Sequence, residues 1–171
     1  MPYIERKDWN AVYKNQDRLL GVLQKVDSIF LAGGTAIQRF TASFQARESD
    51  DLDFFIPTPD DKLAERKALE IRKAIENSGF AMVQYYYNDS GVNRFICSVE
   101  GSEELVKVEL VNCKTDRFGK EPYQKHVLFP RIETAYDLML YKLKALHDRQ
   151  DTVKDLFDLY FCHQRKSYPG S

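Results

Sequence analysis

Phe30-Leu31-Ala32-Gly33-Gly34-Thr35-Ala36-Ile37, and a few residues later Arg47-Glu48-Ser49-Asp50-Asp51-Leu52-Asp53-Phe54-Phe55, decide how this chain is read. An apolar strand runs into two glycines and a hydroxyl, a short helix follows, and a second strand then carries carboxylates. Same-face neighbours on a strand lie roughly 6–7 Å apart, so Asp51 and Asp53 share one face while Leu52, Phe54 and Ile56 take the other. Two adjacent carboxylates repel, and one is driven toward neutrality unless a cation lies between them. A divalent metal keeps both ionised. The glycine turn can bring bare backbone N–H groups close to a phosphate. The stretch therefore predicts a metal–nucleotide site. The alternative is a solvated strand edge or a pair of helix caps, which the apolar surroundings disfavour because an unpaired charge is expensive there.

The elements around this stretch alternate between helical and strand periodicity. Asp8 can cap a helix over 8–24, with Val12, Leu19, Leu20 and Leu23 inward. A buried strand covers 29–32, and a helix over 35–44 points Ala36, Ile37, Phe40 and Phe44 inward. After a loop, the carboxylate strand spans 51–56. A turn cluster starts a helix that runs to Asn77, with Ala64, Ala68, Ile71 and Ile75 on one side and Lys62, Arg66, Lys67, Arg72 and Lys73 on the others. Strands over 80–87, 93–99 and 105–111 are joined by turns at 88–91 and 100–104, which predicts a meander at the far side of a sheet. A loop over 112–130 carries Lys114, Arg117, Lys120, Lys125 and His126, and helices over 134–147 and 151–164 precede a frayed polar tail. The pattern is α+β: one domain over residues 1–171, a mixed sheet flanked by helices, with the C-terminal helical pair as part of it.

Composition excludes several classes. With 43% hydrophobic and 30% charged residues among 171, the chain can bury a core without staples. A net charge of −1 gives no global attraction to polyanions, so such a partner must meet a local basic patch. No apolar run approaches the ~18–20 residues of a membrane span, and the N-terminal residues lack a signal-peptide core. Cys97, Cys113 and Cys162 are odd in number and widely spaced, which predicts buried thiols in a reducing cytoplasm rather than disulfides or a zinc cluster.

Other residues extend the site. In Leu105-Val106-Lys107-Val108-Glu109-Leu110-Val111, alternation puts Lys107 and Glu109 on one face. Glu109 is either half of a cross-strand ion pair or a third carboxylate beside Asp51 and Asp53, where one carboxylate could act as general base. Gly33-Gly34 is a tight turn or a phosphate cradle. It is not a Walker loop, since no Gly-Lys-Ser/Thr follows. Thr35 could cap a helix or bind a phosphate oxygen. Near the C-terminus, Asp151, Asp155 and Asp158 form a stripe, and Lys142 and Arg149 share a helix face if that helix runs through both. Val153, Leu156, Phe157 and Tyr160 form the opposing, core-facing stripe. The charged stripe is a solvated face, or a lysine of these helices, among Lys142, Lys144 and Lys154, reaches a triphosphate with Asp155 orienting it. His126, His147 and His163 have no ligand spacing and receive no role. Tyr85, Tyr86 and Tyr87 fit sheet packing better than base stacking.

Four motifs in order resemble the nucleotidyltransferases of the AbiEii/AbiGii toxin type. They are Leu31-Ala32-Gly33-Gly34-Thr35-Ala36; Arg47-x-Ser49-x-Asp51-Leu52-Asp53-Phe54; Lys107-Val108-Glu109; and Leu140-x-Lys142-Leu143-x-Ala145-Leu146-x-x-Arg149 with Lys154-Asp155-Leu156-Phe157-Asp158-Leu159. The resemblance implies a DNA polymerase β-like nucleotidyltransferase core. It implies that Gly33, Gly34 and Thr35 hold the triphosphate, with Arg47 and Ser49 at the mouth of the site. Asp51, Asp53 and Glu109 would be the metal site, and Lys142 and Asp155 the phosphate-side pair, with Asp158 matching the same motif position as Asp155. The expected cofactor is Mg²⁺ or Mn²⁺ with an NTP as substrate.

The expected activity is transfer of a nucleoside monophosphate from the NTP to an acceptor hydroxyl, on tRNA or another RNA, in a toxin–antitoxin or phage-defence setting. A cognate antitoxin is an expected partner, and a membrane is not. The basic loop and the Lys62-to-Lys73 helix are the candidate RNA contacts. The rival readings are a non-catalytic module of the same fold acting through a protein partner, and nucleotidyl transfer to a protein or small-molecule acceptor. The catalytic readings hold only if Asp51, Asp53 and Glu109 meet on one face of the sheet.

Overall fold

The computed structural model describes residues 7–41, 45–87, 92–114, 119, 121–148 and 153–166, with backbone alone at 87 and 163–166. Five strands form one mixed sheet in the order β1-β2-β5-β4-β3. They are β1 (Phe30–Ala32), β2 (Asp51–Pro57), β3 (Phe80–Tyr87), β4 (Val92–Val99) and β5 (Val106–Cys113). β1 pairs antiparallel with β2, β2 parallel with β5, and β5, β4 and β3 form the expected antiparallel meander. The expected turn at 88–91 lies outside the described residues.

Alternation along the strands gives the sheet two unlike faces. Leu52, Phe54 and Ile56 of β2, Phe95 and Cys97 of β4, and Val106, Val108 and Leu110 of β5 are buried on one. α1 (Trp9–Leu23) and α3 (Asp61–Glu76) cover that face, contributing Leu19, Leu20 and Leu23, and Ala64, Ala68, Ile71 and Ile75, to the same core. Asp8 accepts hydrogen bonds from the Asn10 and Ala11 N–H groups at 3.0 and 3.2 Å, and Asp60 caps α3 in the same manner. Each cap satisfies donors that the first turn leaves without intrahelical partners.

The opposite face carries Asp51, Asp53, Lys107 and Glu109. Its β1–β2 end is roofed by α4 (Ala135–Asp148) and α5 (Val153–Lys166). Phe55 meets the roof at the Tyr141 ring, 5.2 Å away between centroids, and stacks on Phe30 at 5.4 Å.

Two expectations are corrected. The run after the glycines is not a continuous α-helix: α2 (Gly33–Thr35) is one turn, and Ala36–Thr41 is wound as a π-helix. Of the expected inward residues, Phe44 lies outside the described residues. Side-chain anchors accompany the wider winding. Arg39 reaches Asp17 at 2.5 Å and Gln16 at 2.8 Å, and Gln38 reaches Asp158 at 2.9 Å. π-turns of this kind concentrate at functional sites.

The second correction is the rotation of α5. Its expected core stripe, Val153, Leu156, Phe157 and Tyr160, is 77, 59, 46 and 59% exposed, whereas Asp155 and Asp158 are buried. Burying carboxylates is unfavourable unless cations and donors meet them. Here Arg47, Lys142 and Gln38 do so, and the helix turns its acidic side inward.

Candidate active site

The parallel β2–β5 register pairs Asp51 with Lys107 and Asp53 with Glu109. Asp51, Asp53 and Glu109 therefore lie on one face of the sheet, and Asp53 and Glu109 are direct cross-strand neighbours. On the other side of Asp53, Ala32 is its partner in β1, and the chain leaves the sheet at Gly33 with φ +69°. A Cβ on Gly33 would fall 1.7 Å from the Asp53 Oδ2. A Cβ on Gly34 would fall 2.6 Å from the Arg47 Nη2. The two glycines thus admit the carboxylate and the guanidinium that the following strand and loop bring back. The Gly34 backbone N–H donates to the Asp53 carboxylate.

The electrostatics follow from this crowding. Burial pushes Asp53 up to about 7, and the Glu109 and Asp51 charges push the same way against Lys142 and the Gly34 N–H. Asp51 is also raised, by burial and then by the charges of Asp50 and Glu109. Asp50 goes the other way, to about 2: burial opposes its charge, but ion pairs with Lys7 and Lys107 outweigh it. Glu109 is held by Arg94 of β4, whose Nε lies 2.7 Å from the Glu109 Oε1 with Nη2 also in contact.

Facing the carboxylates across a cleft of about 400 Å³ is a second cluster. The Lys142 Nζ lies 2.6 Å from the Asp155 Oδ1 and 2.9 Å from the Asp158 Oδ2. Burial lowers the Lys142 affinity for its proton, but the two carboxylates overcome this and raise its pKa. Arg47 makes a bidentate pair with the fully buried Asp158, at 2.9 and 2.7 Å, and Gln38 donates to Asp158 at 2.9 Å. The Gln38 Oε1 in turn accepts from the Ala46 and Arg47 backbone N–H groups. The cleft is lined by Gly33, Gly34, Arg47, Ser49, Asp51, Asp53, Glu109, Lys142 and Asp155, all expected, and by Arg94 and Lys154, which carried no expected role. Thr35 is not on the lining: it is fully buried, and its hydroxyl bonds the Ser49 Oγ at 2.9 Å and the Asp51 carbonyl.

The family model of the nucleotidyl transferase AbiEii toxin of type IV toxin–antitoxin systems matches residues 18–170. The chain belongs to this family. No curated protein matches the sequence. Among solved structures, JHP933 from Helicobacter pylori superposes with a TM-score of 0.63 at 20% identity, over 93% of this chain and 67% of that one. The antibiotic-resistance factor ANT(2'')-Ia superposes with a TM-score of 0.55 at 15% identity, over 94% of this chain and 86% of that one. At these identities the likeness is one of fold.

Within this AbiEii-family fold, the expected basic RNA contacts are scattered. α3 packs beneath the sheet, on the side away from the carboxylates, so its lysines and arginines do not border the cleft. Lys114 pairs with Asp61 at 3.0 Å, while Arg117, Lys120, Arg149 and Asp151 lie outside the described residues. The tyrosines divide: Tyr85 stacks on Phe95 on the α3 side, Tyr86 lies on the carboxylate side, and the Tyr87 side chain is not described.

Sequence reasoning missed Gln38 and Arg94. Their partners, Asp158 and Glu109, are 120 and 15 residues away, and local pattern carries no signal for such pairs. Asp51, Asp53 and Glu109 offer an all-oxygen donor set that suits Mg²⁺ or Mn²⁺. As they stand, no three carboxylate, imidazole or thiolate groups among the described residues are close enough to hold one ion, and Arg94 occupies Glu109. Both Arg94 contacts fall on the Glu109 Oε1.

Proposed function

We propose that the protein transfers a nucleoside monophosphate from an NTP to an acceptor hydroxyl of RNA, such as tRNA, using Mg²⁺ or Mn²⁺ held by Asp51, Asp53 and Glu109. The observation that carries this reading is the pairing of Asp53 with Glu109 across β2 and β5, facing Lys142 and Asp155 over one cleft. The metal supplies charge neutralisation to the triphosphate and lowers the pKa of the acceptor hydroxyl.

The remaining roles fall to the chain's own groups. Gly33 and Gly34 let Asp53 and Arg47 close against the turn at the triphosphate's edge of the cleft, and Ser49 borders it. Lys142, oriented by Asp155 and Asp158, faces the phosphates. The acceptor hydroxyl oxygen forms a bond to the α-phosphorus, the bond from that phosphorus to the bridging oxygen breaks, and pyrophosphate leaves. Glu109, at the open edge of the carboxylate group, receives the hydroxyl proton. Catalysis then rests on positioning and electrostatics, with no protein nucleophile. An antitoxin that restrains this activity in the cytoplasm completes the reading.

The test incubates the protein with each labelled NTP, Mg²⁺ and total RNA. Label in RNA, lost with Asp53→Asn while the fold is kept, is the expected result. Label in protein alone, or none in any pool, overturns the reading.

A further inference from the structure

The carboxylate face does not end at Glu109. The register continues from Asp53 through Glu109 and Arg94 to Tyr86, one residue from each of β2, β5, β4 and β3. α4 and α5 roof only the β1–β2 end of this face, and among the described residues none covers the other end. There, Asp51, Tyr86, Arg94, Ile96, Lys107 and Glu109 line a hollow of about 350 Å³ that shares three residues with the cleft. That volume lies within the usual range for a site holding one small-molecule-sized group. The side chains of Arg94 and Lys107 are 52 and 40% exposed, and the Tyr86 ring is half exposed beside them.

We infer that this shelf is the acceptor subsite, and that it takes the 3′ end of a single-stranded RNA. This rests on the nucleotidyl-transfer reading of the adjoining cleft. The terminal hydroxyl reaches Glu109, the phosphate one step back lies on Arg94 and Lys107, and the base behind it stacks on Tyr86. Strand spacing puts Tyr86 roughly 10 Å from Glu109 along the row, so the stacked base belongs to the penultimate nucleotide. Two cations and an exposed ring together suit a nucleotide chain, since the backbone is met by charge and every base has a face to stack. A duplex does not present its bases to a flat shelf in this way, which selects a single-stranded end. Arg94 serves two states: it neutralises Glu109 when the carboxylates lack a cation, and turns to the RNA phosphate when Glu109 moves to the metal.

The test measures binding apart from transfer. A mixed-sequence single-stranded RNA dodecamer carrying a 5′ fluorophore and a free 3′ hydroxyl is titrated with protein in Mg²⁺ and followed by anisotropy, and Mg-ATP binding is measured separately by calorimetry. Tyr86→Ala and Arg94→Gln are each expected to weaken RNA binding about tenfold, and in Tyr86→Ala, which does not touch the carboxylates, Mg-ATP affinity stays within about twofold. Arg94→Gln and Lys107→Gln should each reduce the slope of log K against log salt by about 0.7, the value for one phosphate contact on a single strand. Unchanged RNA affinity in Tyr86→Ala and Arg94→Gln overturns the subsite, even if the protein transfers nucleotides to RNA. Tight RNA binding that these variants abolish supports it, even if no transfer is found. Absence of RNA binding by the wild type, or a protein acceptor whose labelling Tyr86→Ala abolishes, overturns it as an RNA site.

Discussion

Arg47, in the loop before β2, makes a bidentate ion pair with Asp158 of α5, 111 residues further along the chain. The pair joins the glycine-turn side of the cleft to its helical roof. Lys142 and Gln38 complete the contacts of the Asp158 carboxylate, which is fully buried. Asp158 is thus a keystone beneath the cleft, while Asp155 is on its lining.

Asp158→Ala leaves a part-buried guanidinium and a part-buried ammonium without their shared, fully buried partner. Breaking a buried pair from one side costs about 3–5 kcal/mol, and the midpoint of urea unfolding should fall accordingly. Asp155→Asn keeps volume and one acceptor and leaves Asp158 on Lys142, so its loss of stability should be about 1 kcal/mol. Equal destabilisation by the two variants would contradict the division between keystone and lining.

Gly33→Ala tests the close approach. The residue sits at φ +69°, and its new Cβ would occupy the space of the Asp53 carboxylate. Left-handed backbone at a non-glycine residue costs about 1 kcal/mol, and displacing the Asp53 side chain adds to it. A drop of about 2–3 kcal/mol in unfolding free energy, with loss of Mg-ATP binding, is expected. Gly21→Ala is the control, since a Cβ there meets nothing within 4 Å.

The pH dependence of the metal-free protein has two windows with opposite signs. Asp53 has a folded pKa of about 7, above its unfolded value of 3.8. The folded state therefore holds this proton more tightly, and the associated stability is full below pH ~4 and is lost as pH rises toward 7. The upper limit is about 4 kcal/mol. Asp50, lowered from 3.8 to about 2, contributes above pH ~4 and loses its share as pH falls toward 2. Urea unfolding in EDTA across pH 3–8 should show a falling limb from pH ~4 to 7. Asp53→Asn should flatten that limb, and saturating Mg²⁺ should do so as well. A limb that persists in Asp53→Asn would assign it to another group.

What was legible in the sequence was whatever local pattern determines. Strand alternation correctly put Asp51, Asp53 and Glu109 on faces opposite Leu52, Phe54 and Val108, and the glycine pair marked where the chain must leave the sheet. That these faces coincide is a property of the parallel β2–β5 register, which no single strand encodes. The rotation of α5 was illegible for the same reason. Its apolar and acidic stripes are both regular, and the acidic one is buried because Arg47, Lys142 and Gln38 arrive from elsewhere in the chain. Thr35 was read from its position after the glycines, but its hydroxyl is taken by Ser49 and the Asp51 carbonyl on the returning strand.

Arg94 provides a separate check on the carboxylates. It pairs with the Oε1 of Glu109, the cross-strand neighbour of Asp53, so this partly exposed ion pair competes with a cation for that carboxylate. Such pairs contribute about 0.2–1 kcal/mol, and removing a nearby positive charge also favours a cation. Arg94→Gln is therefore expected to tighten Mn²⁺ binding about two- to fivefold, measured by the loss of free-ion paramagnetic resonance signal in the absence of NTP. Glu109→Gln should weaken it in the same assay. Weaker Mn²⁺ binding in Arg94→Gln would mean that the guanidinium positions Glu109 for the ion instead of competing with it, and the exchange of partners at Glu109 would have to be abandoned.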